Sequence, residues 1–162
     1  MPGPAADLSN RPSRVTVPNA PDRGFDYVED FFVYEIDTAT GGVAPGATAT
    51  LTFQIQADSD FKLLKLAQTS TNNASITGTQ EATRILPLVT CQITDQGSGR
   101  QLFSNPVSVP SLFGDGRIPF ILPVVRIFKA RATVQVLLSN YDTTITYNVR
   151  LSFIGSKLFK LG

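Results

Sequence analysis

The chain contains no histidine, no tryptophan and a single cysteine and methionine among its 162 residues. Without histidine, Ser–His–Asp and Cys–His nucleophilic catalysis have no base within this chain. One cysteine and no histidine leave only carboxylates as protein ligands for zinc, which excludes most zinc sites. A single cysteine also excludes an intramolecular disulfide framework. Charge is sparse, at 17% of residues, and the net charge of +1 makes the whole molecule no attractor for nucleic acid. No run of 18 apolar residues occurs, so no membrane-spanning helix is expected. The opening "MPGPAADLSNRPSR" has no apolar core of the kind a signal peptide needs.

What is present is alternation. Hydrophobic residues make up 42% of the chain, too many for a disordered segment. In "TATLTFQIQ" (48–56), Ala49, Leu51, Phe53 and Ile55 share one face, and Thr and Gln share the other. That period of two marks a half-buried antiparallel strand. "EDFFVYEID" (29–37), "DSDFKLLKLAQTS" (58–70) and "TRILPLVTCQITDQ" (83–96) read as further strands. Pro87 places the last of these at an edge or a bulge. "GSGRQLFSN" reads as a turn with a short strand, and the proline-rich stretch 106–123 as a surface course with short strand pieces.

The chain then closes with two long strands, "PVVRIFKARATVQVLLSNY" and "NYDTTITYNVRLSFIGSKLF", joined in a hairpin near "SNYDTT". The second strand is expected to bury Ile145, Tyr147, Val149, Leu151 and Phe153, and to end at Gly155 and Lys157. Phe31, Phe120 and Phe128 are expected in the core. About eight antiparallel strands and no convincing helix predict an all-β fold, a β-sandwich or jelly-roll, with a closed barrel as the second choice. It would span residues 29–162. Residues 1–28 hold Pro2, Pro4, Pro12, Pro18 and Pro21 and read as an extended arm, either a flexible leader or a segment that orders on a partner.

Local motifs say little of chemistry. Asp58 and Asp60 are too few for a calcium cage. Gly114, Asp115 and Gly116 suit a tight turn with positive φ, and no phosphate-loop residues follow them. Asn73-Ala74-Ser75 matches a glycosylation pattern in an Asn-rich loop. Cys91 lies in an apolar stretch and reads as a small buried hydrophobe. Glu29, Asp30, Glu35 and Glu81 are the candidate acids for a carboxylate-pair hydrolase, but no pair stands out. Charge placement is more informative. Residues 117–162 hold seven basic residues against Asp142, whereas 29–116 hold four basic and nine acidic ones. Either the two parts interleave in one sandwich, or they dock on like copies or on an acidic partner.

The series Ile118-Pro119-Phe120, "PVVRIF", "ATVQVLLSNYD" and "NVRLSFIGSKLF", with "FFVYEID" and "GATATLTFQIQADSDF" upstream, resembles minor virion proteins of tailed bacteriophages. The resemblance implies a jelly-roll cement or decoration protein on the capsid surface, assembled in the host cytoplasm. It would clamp neighbouring copies of the major capsid protein as a homo-oligomer, with a dimer favoured. It brings no catalytic residues, cofactor or metal, and no direct contact with nucleic acid or membrane. The partner-binding residues on this reading are Arg11, Pro12, Arg14, Pro18, Pro21 and Arg23 of the arm. Arg126, Lys129 and Arg131 of the basic third join them. The alternative is a neck, tail or head-fibre module that binds a receptor or carbohydrate. Its site would be in loops 70–82 or 95–100, with Tyr27, Tyr34, Tyr141 or Tyr147 as stacking platforms.

Overall fold

Nine strands and one helical turn make up the computed structural model, which describes residues 27–38, 41–72 and 85–160. In chain order they are β1 (Tyr27–Asp37), β2 (Thr48–Gln54), β3 (Asp60–Thr71), β4 (Val89–Asp95), β5 (Arg100–Gln101), β6 (Val107–Ser108), α1 (Val109–Leu112), β7 (Phe120–Phe128), β8 (Thr133–Asn140) and β9 (Asn148–Lys160). One sheet has the order β1-β9-β3-β7, and the other β2-β8-β4-β5 with β6 also on β4. All the pairings between strands are antiparallel. Strands cross from sheet to sheet at most steps along the chain, and the last strand lies between the first and third. This winding is that of a jelly-roll sandwich.

The alternation in the sequence is what the two sheets use. Val134, Val136 and Leu138 of β8 point inward and are fully buried, as are Cys91 and Ile93 of β4. Facing them, β9 brings Leu151 and Phe153 and β3 brings Phe61 and Leu63. Each such side chain contributes roughly 1.5–3 kcal/mol of transfer free energy before chain entropy is subtracted. Tyr34 stacks on Phe53 at 5.1 Å and meets Phe61 edge-on at 4.9 Å, which joins the two layers through aromatic rings.

Several expectations are corrected. β8 and β9 form no hairpin: they lie in opposite sheets, and the segment between them is a corner. The long strand expected from residue 123 to 141 is two strands, β7 and β8, one in each sheet. The break falls at Lys129–Ala132, where Arg131 takes φ 66°. Turn chemistry marks where a chain bends, and it is the same for a hairpin as for a corner between layers. The last strand begins at Asn148, so Ile145 lies in the corner, partly exposed. Gly155 and Lys157 are buried inside the strand and do not end it.

Phe31 is 78% exposed, because it faces outward while Phe32, Tyr34 and Ile36 face the core. Pro87 precedes β4, which is an inner strand, whereas Pro123 lies in the edge strand β7. Neither Gly114 nor Gly116 has positive φ. At Gly114 the requirement is closeness instead: an added Cβ would stand 1.9 Å from the Ile118 carbonyl oxygen. Tyr27 and Val28 belong to β1, so the strand starts inside the segment expected to be arm. Residues 1–26 and most of loop 70–82, with Glu81 and the Asn73 pattern, lie outside the described residues.

Candidate functional site

The nine partner-binding residues divide in two. Arg11, Pro12, Arg14, Pro18, Pro21 and Arg23 lie outside the described residues. Arg126, Lys129 and Arg131 come together at the β7–β8 corner, where all three are tied into the fold. Arg126 reaches across the sandwich to Asp95 at the end of β4, Nη2 to Oδ2 3.8 Å. Lys129 Nζ stands 3.0 Å from Asp60 Oδ2, and the Ala130 amide donates to the other oxygen of the same carboxylate at 2.9 Å. The Arg131 amide donates to the Ile55 carbonyl at 3.1 Å.

The same pattern holds elsewhere. Lys157, 8% exposed, pairs with Asp58 at 3.1 Å and sits 4.5 Å from the centroid of the Phe32 ring. Arg150 lies between Glu35 and Asp37 at 3.5 and 3.8 Å. Basic residues of the C-terminal third therefore pair with acids of the middle. Sequence distance separates the two groups, and strand interleaving reunites them. Much of the charge asymmetry is consumed within the molecule.

The candidate acids form no catalytic pair on β1. Glu29 and Glu35 share a face but stand six residues, about 20 Å, apart along the strand. Glycosidase carboxylates need roughly 5–9.5 Å. Burial pushes the Glu29 carboxyl up, but hydrogen bonds from Ser156 and Lys62 and the Lys62 charge outweigh it and hold it below its usual range. The Lys157 hydrogen bond does the same for Asp58, against a smaller opposing effect of burial. Cys91 is fully buried, and desolvation pushes its thiol up to about 12, so it stays protonated and unreactive. Among the described residues, no three of His, Cys, Asp and Glu stand close enough to hold a metal ion.

Of the tyrosines proposed as stacking platforms, only Tyr141 is open to solvent. Tyr27 and Tyr147 are buried, and Tyr34 is part of the aromatic core. Tyr141 borders a shallow hollow of about 470 Å³ between residues 45–48 and 139–143. Its walls are stiff. Asn140 Nδ2 lies 2.9–3.2 Å from the carbonyls of Val43, Ala44 and Ile145. Asp142 Oδ1 accepts from the Thr144 and Ile145 amides, and Oδ2 accepts from the Tyr147 hydroxyl at 3.0 Å. Those bonds hold the Asp142 carboxyl below its usual range, while burial first and Asp142 second push the Tyr147 hydroxyl up. Asx-type turns were legible at Asp142, but the partners of Asn140 were not, since two of them are nearly 100 residues away.

Sequence reasoning missed the exposed apolar residues of the β7 region: Ile118, Ile121, Val124 and Val125. The run "IPFILPVV" lacks the alternation of an inward and an outward face, which was the available signal. No family model matches the chain, and searches of the curated proteins and of the solved structures return no match.

Proposed function

We propose that the chain is a non-enzymatic virion structural protein, a capsid cement or decoration subunit that clamps neighbouring major capsid subunits. The observation that carries this reading is the exposed apolar row Ile118, Ile121, Val124 and Val125 along one sheet edge. Exposed apolar groups gathered at one place mark contact surfaces, and adhesion needs no catalytic group. The jelly-roll winding suits the reading by analogy only, since the fold serves capsid and lectin domains alike. Many weak contacts repeated by symmetry stabilise a shell even where each one is modest.

The test is co-sedimentation of the purified chain with empty capsid shells of its source virus. Saturable binding is expected, and deleting residues 1–26 is expected to abolish it while the sandwich stays folded. An intact chain that leaves every shell bare refutes the cement role. A second reading, a carbohydrate-binding module of the neck, tail or head fibre, draws on exposed Tyr141 beside its rigid hollow. Specific glycan-array binding that is lost in Tyr141→Ala would favour it over the first.

A further inference from the structure

The four-stranded sheet ends in two edges of opposite character. β1 carries Glu29, Asp30, Glu35 and Asp37 and no basic residue. The stretch 117–131, which contains β7, carries Arg117, Arg126, Lys129 and Arg131 and no acid. Internal pairs reduce both charges without erasing them. Glu35 and Asp37 both pair with Arg150, Glu29 pairs with Lys62, and Asp30 is exposed. Arg117 and Arg131 are exposed, and no ion pair engages them among the described residues. Each edge also carries uncovered apolar side chains: Phe31 on β1, and Ile121, Val124 and Val125 on β7. Neither strand has a backbone partner on its outer side among the described residues.

We infer that the β7 edge of one copy docks on the β1 edge of the next, head to tail. Each step across the sheet reverses strand direction, so β1 and β7 run opposite ways. A copy rotated about an axis parallel to the strands keeps its strand directions. Its β1 then meets β7 antiparallel, as every neighbouring pair in the sheet already does. In that arrangement exposed Asp30 of one copy approaches exposed Arg131 of the other. Glu35 and Asp37 approach Arg117 at the opposite end, and Phe31 and Val33 face Val124 and Val125 between them. Opposite charges meet at both ends with apolar groups in the middle.

The twofold alternatives oppose like charges. β7 on β7 sets Arg117 against Arg131, and β1 on β1 sets Asp30 against Glu35 and Asp37. The irregular centre of β7 shapes the contact. Residues 122–125 stand where β3 offers only Leu64, between the pairs Leu63↔Arg126 and Lys65↔Ile121. They form a bulge with no partner of their own on β3, and Pro123 has no amide to donate. Backbone pairing is thereby confined to the two ends, and the centre joins through side chains. A head-to-tail contact closes into a ring or continues as a filament; it does not stop at a symmetric dimer.

This deepens the assembly reading but is tested on the purified chain alone, without shells. Sedimentation velocity over a concentration series should show species larger than a dimer, weakened by salt. Val124→Asp disables the β7 edge and Phe31→Asp disables the β1 edge, each at an exposed side chain. Each variant alone should be monomeric, and an equal mixture should form a heterodimer and nothing larger, since one good edge survives on each. Arg117→Glu and Asp30→Lys provide a second pair should either first variant fold poorly. A monomeric parent at all concentrations overturns the inference. So does a parent dimer indifferent to these substitutions, or variants that fail to complement on mixing. A monomer that still coats shells overturns the edge pairing alone, whereas an oligomer that ignores shells overturns the cement role alone.

Discussion

Gly155 offers the sharpest test of how the central strand is packed. It sits in β9 between Phe32 of β1 and Leu63 of β3, beside the point where the β3 register shifts. A Cβ added there would stand 1.9 Å from the Lys62 carbonyl oxygen and 3.1 Å from Phe61 Cζ, where ordinary contact begins at 3.4 Å. The first obstacle is backbone in the middle of a sheet, so no side chain can swing aside. Overpacking a core costs typically 1–3 kcal/mol, and an obstacle that cannot move puts Gly155→Ala at about 3 kcal/mol or more. At roughly 2–4 °C per kcal/mol for a chain of this size, the melting temperature should fall by about 6–12 °C.

The control is Gly116→Ala. Nothing lies within 4 Å of its Cβ position and its φ is not positive, so the change should be neutral or stabilising by up to about 1 kcal/mol. Thermal and guanidinium unfolding of both variants in the full chain gives the comparison. Near-equal effects would refute the argument, because they would show that the strands part freely at Gly155.

Three further outcomes follow from the same packing. Asn140→Ala leaves the carbonyls of Val43, Ala44 and Ile145 without the Asn140 amide and should cost about 2 kcal/mol in denaturant unfolding, with Asn140→Asp worse because it sets a carboxylate among carbonyl oxygens. Glu29, Asp58 and Asp142 are all held below their usual carboxylate range. The stability they add is therefore complete above the unfolded values near pH 4 and is lost as pH falls through the lower folded ones; melting temperature should stay level above that point and drop below it, less steeply in Asp142→Asn. Cys91 should resist thiol reagents at pH 8 in the native state and react fully in guanidinium, since burial holds its thiol protonated; rapid native labelling would contradict its placement.

The fold class and most of the strand faces are legible in the chain alone. Period-two alternation says which side of a strand is buried, and it did so correctly for β2 and for Val149, Leu151 and Phe153 of β9. It also determined that Cys91 is a core residue, because burial follows from a local apolar context. Which layer each strand joins is settled by long-range pairing, because a corner and a hairpin have the same local turn chemistry. That choice put β8 and β9 in opposite sheets and left β1 and β7 as the edges. It also decided the fate of the charges. Arg126 and Lys129 read as partner contacts along the chain but meet Asp95 and Asp60 in space. Strand pairing brings together residues far apart in sequence, so a charge is internal or available according to which strand lies beside it.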